Sequence, residues 1–268
     1  MIPAPVRYAR ATDVEHALEL LGETDAKLVA GGQSLISVMK LRIVRPSLVV
    51  DISKLELRGV EIHGDELHLG SLTTWDELLD SPELRRPALA AVVECANGIG
   101  DLQVRNRGTL GGSLAHADPA SDMPAVLLAL GATLQLRSPS GHRVVPLVDF
   151  FLGPFTTALA AQELITGVVV PLPARGSGSA YVSVEHPASG FALAGAAALS
   201  GADGGCRVAV TGIAAQPLLL ADEDPEIALE TIEIFGDRFA PADYRRALAV
   251  VLARRARELA AERAKGDA

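Results

Sequence analysis

Cysteine is almost missing from this chain of 268 residues: Cys95 and Cys206 are its only two, far apart and outside any Cys-x-x-Cys pair. That excludes a zinc or iron–sulfur ligand set built from this chain alone. Both cysteines read as small buried residues of a reducing cytoplasm. No apolar run approaches the roughly 20 residues that span a bilayer, so no transmembrane segment is expected. The start, Met1-Ile2-Pro3-Ala4-Pro5, lacks a charged region followed by an apolar one, which speaks against a secretory signal and for a cytoplasmic protein. A dense Lys/Arg run is absent before the C-terminus, and the net charge of −9 argues against a nucleic-acid surface. Aromatics make up only 4%, and Trp75 and Tyr181 read first as core. No internal repeat is found. Neither a Ser/His/Asp arrangement nor a metal-ligand cluster stands out, so no catalytic or metal residue is assigned.

What is present is a folded globular composition, 49% hydrophobic and 21% charged, in a chain long enough for two domains. One stretch organises it. Gly108-Thr109-Leu110-Gly111-Gly112-Ser113-Leu114-Ala115-His116-Ala117-Asp118-Pro119-Ala120-Ser121-Asp122 gathers glycines, hydroxyls and two carboxylates immediately before the apolar Met123–Leu130. Glycine lets backbone approach a ligand closely, and successive N–H groups in such a turn form an anion-binding concavity. Thr109 and Ser113 add hydroxyl donors. An earlier stretch, Ala30-Gly31-Gly32-Gln33-Ser34, repeats the chemistry after the strand-like Leu28-Val29. Either alone is no more than a turn signal. Together they suggest a ligand with two phosphates, held from both sides.

In chain order, Thr12-x-x-Glu15 reads as a capping box, followed by a helix that Gly22 stops. A strand over Lys27–Ala30, a helix capped by Ser34 through about Leu41, and a strand over Leu48–Ile52 complete a small α/β unit ending near Leu57. A helix N-terminus at Ser34 would favour a phosphate. Hairpins follow: Val60–His63 with Glu66–Leu69, and Thr133–Arg137 with Arg143–Pro146. Between them come a capping box at Thr74–Glu77, a buried helix over Pro87–Ala96, a loop over 100–122 and a helix to Leu130. Leu164–Val170 closes this unit as a strand, and Pro171–Pro173 with Gly176–Ser179 reads as a linker. From Ala180 a separate α+β module is expected, with strands near Tyr181–Val184, Phe191–Leu199 and Arg207–Ile213. Its helices start at Asp224-Pro225 and run over Asp243–Ala264, the latter with a solvated Arg-rich face.

The two glycine stretches, with Gln103–Gly108, Asp118–Asp122 and Asp149–Thr157, closely resemble the FAD-binding subunit of molybdenum hydroxylases, the family of the carbon monoxide dehydrogenase medium subunit and the xanthine dehydrogenase FAD domain. The resemblance implies an α+β fold: a two-subdomain FAD-binding domain of vanillyl-alcohol-oxidase (PCMH) type (1–57 and 58–173) plus a C-terminal α+β CO-dehydrogenase-flavoprotein domain (180–268). It implies an electron-transfer role with a large molybdenum-cofactor subunit, a small [2Fe–2S] subunit, a dimer of heterotrimers and an external electron acceptor. A stand-alone flavin oxidoreductase and a non-catalytic scaffold are the rival readings.

Residue by residue, the resemblance places the FAD diphosphate against Gly31, Gly32, Gln33 and Ser34, with Thr109, Gly111, Gly112 and Ser113 opposite. Lys27, Leu28, Val29, Ala30, Leu35 and Ile36 would wall the first stretch; Val104 and Gly108 would wall the second, joined by Ala115, His116 and Ser121. Asp122 corresponds to a carboxylate at the ribose or adenosine end, and Leu164 and Ile165 fall near the adenine or flavin. Phe191 matches an aromatic residue beside the flavin ring. Gly190 stands where the family has an Asp, and Ser183 where it has a Lys, so two polar contacts to the ring are missing. His116 is open between proton carrier and structural residue, Arg105 and Arg107 between phosphate, partner and solvent. His186 has no assigned role.

Overall fold

The computed structural model describes residues 2–221 and 224–266; the expected outer domain ends at 1 and 268 lie outside the described residues. The first unit comprises β1 (Arg7–Arg10), α1 (Val14–Leu21), β2 (Ala26–Val29), α2 (Leu35–Lys40) and β3 (Leu48–Asp51). Its three strands are parallel in the order β1-β3-β2, and all four residues of the central β3 are buried. The helix start differs from expectation. Asp13, not Thr12, caps α1, accepting from the His16 N–H at 2.8 Å, while Thr12 Oγ1 bonds Asp13. A carboxylate is the better N-cap acceptor, and Glu15 is left to pair with Arg137 at 3.0 Å.

The second unit contains β4 (Val60–His63), β5 (Glu66–Gly70), α3 (Trp75–Asp80), α4 (Ala90–Gly98), α5 (Leu102–Arg105), α6 (Leu110–His116) and α7 (Met123–Leu130). It continues with β6 (Thr133–Ser138), β7 (Gly141–Pro146), the short pair β8 (Phe151–Gly153) and β9 (Thr156–Thr157), and β10 (Leu164–Pro171). An antiparallel sheet in the order β4-β5-β10-β6-β7 carries it. The Thr74 capping box forms as expected, with Thr74 N–H donating to Glu77 at 2.7 Å and Glu77 N–H to Thr74 Oγ1 at 3.3 Å. Every side chain of α7 is buried, so this helix is the hub of the main core.

The third unit is a four-stranded antiparallel sheet, β11 (Gly178–Glu185), β12 (Ala192–Ser200), β13 (Cys206–Thr211) and β14 (Leu218–Leu219), with α8 (Pro225–Glu230) and the long α9 (Ala242–Gly266). The linker expectation is corrected at its end, because Gly178 and Ser179 already belong to β11. Gly178 is needed there: a Cβ would sit 2.3 Å from the Ala260 carbonyl of α9. The solvated Arg-rich face holds only in part: Arg254 and Arg255 are exposed, but other arginines of α9 are not. Buried Arg245 donates to Leu193 O and Gly212 O, both at 2.7 Å, and Arg263 ties α9 to Glu94 of α4. Cys95 is buried as expected, whereas Cys206 is half-buried.

Each unit has its own core, yet the cores exchange side chains. Leu72 and Leu164 of the second unit pack in the first unit's core, and Tyr181, Ala197 and Ala209 of the third pack in the second's. No helix among the described residues is long and apolar enough to cross a membrane.

Candidate functional site

The two glycine stretches meet. Gly31 lies so close to the chain before the second stretch that a Cβ on it would fall 1.7 Å from the Arg107 carbonyl oxygen. Only glycine permits that approach. Gly32 turns the chain with φ +77°, the left-handed conformation glycine adopts freely. From there the backbone enters α2, and the N–H groups of Gly31, Gly32, Gln33 and Ser34 have no acceptor among the described residues. Ser34 occupies the N-cap position of α2 without making the expected capping bond, so its hydroxyl is uncommitted. Leu28, Val29, Ala30, Leu35 and Ile36 are half-buried around this turn, while Lys27 and Gln33 are exposed.

The second stretch is built differently. The expected loop over 100–122 contains two short helices, α5 and α6, and the glycines occupy the first turn of α6. Thr109 caps it, its Oγ1 accepting from the Gly112 N–H at 3.2 Å. Leu110 N–H donates to Thr73 O at 3.0 Å, Gly111 N–H to Ser71 O at 2.8 Å and Ser113 N–H to Thr109 O at 3.0 Å. An open concavity of N–H groups, as expected for Gly111 and Gly112, is therefore corrected: their donors are satisfied within the protein. Glycine at 111 serves packing, because a Cβ would lie 2.7 Å from that of Ser71; Gly112 is exposed on the outer face. Gly108 is buried where a Cβ would lie 2.6 Å from the Trp75 indole nitrogen, and Val104 is half-buried beside Gly100. Arg105, half-buried, donates to the Gly100 carbonyl at 2.9 Å and pins this turn.

Downstream, Ser113 Oγ and Ser121 Oγ bond at 2.9 Å. The turn at 118–121 is docked on the third unit: Thr211 Oγ1 donates to Ser121 O at 2.7 Å and Gly212 N–H to Pro119 O at 3.0 Å. Asp122 makes no capping bond to α7; its Oδ1 instead accepts a hydrogen bond from the Tyr181 hydroxyl. Burial pushes the Asp122 carboxyl up to about 6 against the pull of that bond, and Glu185 and Asp118 add to the push. Burial likewise drives the Tyr181 hydroxyl and the Cys95 thiol well above their ordinary ranges. The thiol is thus an inert core group. Tyr181 is core, as its sequence suggests, but nothing in the linear sequence signals its reach to Asp122, because the contact joins residues 59 apart through two folded units.

The remaining expected residues divide. Ala115 is exposed and His116 half-buried, its ring 5.2 Å from that of Phe155. Phe155 is 60% exposed and its N–H donates to Ala117 O at 2.9 Å. Leu164 and Ile165, expected to wall the cofactor, are packed in the first and second cores with 2% and 6% of their surface open, which leaves almost no side-chain surface for a ligand. Phe191 is 47% exposed at the end of the turn that links β11 to β12. Gly190 there has φ +71°, and Ser183 lies half-buried on β11. His186 in the same turn packs edge-on against Phe239 at 4.6 Å.

Residues 4–173 match the family model described as the FAD binding domain in molybdopterin dehydrogenase. The carbon monoxide dehydrogenase medium chain of Hydrogenophaga pseudoflava is 40% identical over 223 residues, 80% of this chain and 77% of that one. The nicotine 6-hydroxylase medium subunit of Paenarthrobacter nicotinovorans is 37% identical over 278 residues, covering 95% and 96%. Among solved structures, a chain of the H. pseudoflava carbon monoxide dehydrogenase lacking the Mo-pyranopterin moiety superposes with a TM-score of 0.92 at 35% identity, covering 98% of this chain and 99% of that one.

Proposed function

This chain belongs to the FAD-binding family of molybdopterin dehydrogenases, and on that premise we propose that it is the subunit through which electrons leave a molybdenum hydroxylase. In this reading it takes electrons from the [2Fe–2S] clusters of a small partner, which a large molybdenum-cofactor partner reduces, and passes them to an external acceptor. The assembly is a dimer of heterotrimers in the cytoplasm. In this reading 1–57 and 58–173 are the two FAD-binding subdomains and 180–268 is the C-terminal flavoprotein domain.

FAD is the cofactor, and the side chains and backbone present here fit it. The observation that carries the reading is the row of uncommitted N–H groups over Gly31–Ser34, with the Ser34 hydroxyl, held against the Arg107–Gly108 backbone. Such a row is a diphosphate's natural partner. Gly112 leaves the outer face of α6 without a side chain where the cofactor would pass, and Asp122 retains Oδ2 to accept ribose hydroxyls. When bound, FAD supplies the ability to accept an electron pair and to deliver electrons singly or together. The protein supplies placement: donors at 31–34 orient the diphosphate, and the buried core behind α7 excludes water from that side. Leu152 and Phe155, 62% and 60% exposed on the β8–β9 tongue tied to α6, offer an apolar face to a partner near the site.

Rapid-mixing absorbance spectroscopy tests the role. With both partners present, organic substrate is expected to bleach the flavin; in the isolated chain it is expected to have no effect. Bleaching of the isolated chain by an organic substrate would mean that it holds its own substrate site, and the subunit reading would fail.

A further inference from the structure

We propose that Tyr181 is a positioning residue for the cofactor: its hydroxyl, reaching from the third unit into the second, holds the Asp122 carboxylate in the orientation that receives the ribose hydroxyls of FAD. The proposal rests on the reading above that Asp122 faces the adenosine end.

The pair is built rather than incidental. Tyr181 stands on β11, 8% exposed, with its ring in the main core. Its backbone N–H donates to Glu94 Oε2 at 2.8 Å, and Glu94 is held in turn by Arg263 of α9. On the neighbouring strand Gly195 leaves a hollow for the hydroxyl: a Cβ there would lie 2.3 Å from the Tyr181 oxygen. At the other end, the backbone just before Asp122 is fixed by Thr211, and Ser121 is fixed by Ser113 of α6. The peptide leading into Asp122 is thus anchored, and the phenol fixes the side chain.

The charge around the carboxylate explains why a ligand would be welcome. Asp122 has no ion-pair partner among the described residues, and the groups that face it are acidic or neutral. They are Asp118 on its own turn, Glu185 and Tyr181 on β11, and Cys95 on α4. A largely buried carboxylate whose donors are only the Tyr181 hydroxyl and its own backbone N–H is under-satisfied, and each further donor stabilises its charged form. Ribose hydroxyls are such donors. The phenol occupies Oδ1, so Oδ2 is the atom left for them.

The test is a titration of the full chain with FAD, read by quenching of flavin fluorescence, from pH 5 to pH 8. The wild-type chain, Tyr181→Phe, Asp122→Asn and the double variant are compared. The wild type is expected to tighten as pH rises through about 6, where Asp122 ionises. Tyr181→Phe keeps the ring in the core; it is expected to weaken binding about 10-fold, the scale of one lost hydrogen bond to a charged group. Its inflection should move to higher pH, because the donor that favours the carboxylate has gone. Asp122→Asn should flatten the profile. The double variant should match Asp122→Asn if the tyrosine acts through the carboxylate, whereas losses that add would mean that Tyr181 only supports packing, and would overturn the proposal. An unaltered affinity and inflection in Tyr181→Phe, beside a changed Asp122→Asn, would overturn it as well. If FAD binds every variant alike, the placement of Asp122 is wrong while the FAD-subunit reading stands. Failure of all four to bind FAD would remove that reading and this proposal together.

Discussion

Two glycine stretches with nearly the same letters do opposite things with their backbone. In Gly31–Ser34 the N–H groups are left uncommitted and the serine makes no cap; in Thr109–Ser113 a threonine caps, and the donors of the glycines are consumed by Thr109 and Ser71. The difference lies in what precedes each. The first follows a β-strand and turns with a left-handed Gly32, and its amides find no acceptor among the described residues. The second is bound into a bridge with Thr73–Trp75, whose carbonyls and amides fix its register before the helix starts. A doubled glycine therefore marks close approach in both places and an open anion site in only one. The accompanying carboxylates diverge too. Asp51, opposite Val29 on β3, is held down to about 2: burial works against it, but the Tyr8 hydroxyl, Ser53 and Arg10 outweigh that. Asp122 also bonds a tyrosine, yet its deeper burial outweighs that bond and, with Glu185 and Asp118 adding to the push, raises it to about 6.

The strongest way to break this comparison is Gly31→Ala. A Cβ 1.7 Å from a backbone carbonyl cannot be relieved by a side-chain rotation, so the two stretches must part. FAD affinity is expected to fall at least 100-fold and stability by about 3 kcal/mol, the upper range for overpacking, measured by flavin titration and urea unfolding of the same sample. Retained affinity would show that the junction is not the site.

The two carboxylates give the next effect. Asp122 has a folded value above its ordinary 3.8, so its contribution to apo-protein stability is present below that value and lost as pH rises through about 6. The loss is about 3 kcal/mol at 1.36 kcal/mol per unit. Asp51 has the opposite sign, with about 2 kcal/mol present above pH 3.8 and lost as pH falls toward about 2. Urea midpoints between pH 4 and 7 should therefore drop with rising pH in the wild type and drop less in Asp122→Asn. An equal fall in both would assign the slope to other groups.

Finer still is the contrast inside α6. Gly111→Ala presses on the Ser71 Cβ and carbonyl and is expected to cost about 1–3 kcal/mol. Gly112→Ala meets only the Thr109 hydroxyl, so the helix gain of up to about 1 kcal/mol for Ala over Gly offsets the crowding. Thermal melts should separate the two, while FAD binding should weaken for Gly112→Ala with the fold intact. Unchanged binding would move the cofactor off this face.

Much of this was legible in the sequence where the signal is local. Alternation at Val60–Leu69 and Thr133–Pro146 gave both hairpins, and Thr74 with Glu77 gave its capping box. Both glycine stretches were found, and with them the family. What stayed hidden depends on distant partners. Gly178 and Ser179 look like linker until α9 packs on them, and Arg245 looks solvated until the carbonyls of Leu193 and Gly212 converge on it. The helix starting at Leu110 was masked by its own glycines, since their poor helix propensity is overridden by the Thr109 cap and packing on Ser71. A resemblance of letters carries no burial, so it does not reveal that Leu164 and Ile165 pack into two different cores.

The account turns on a diphosphate seated at Gly31–Ser34, and one measurement addresses that most directly: a paired titration of the apo-chain with FAD and with FMN. The four uncommitted amides and the Ser34 hydroxyl are spread over a row that a diphosphate would span, and FMN, lacking the adenosine half, forgoes the two ribose hydroxyl bonds to Asp122. With about 1.5–3 kcal/mol for each hydrogen bond to a charged group, FAD is expected to bind at least 100-fold more tightly than FMN. Equal affinities for the two flavins would contradict it.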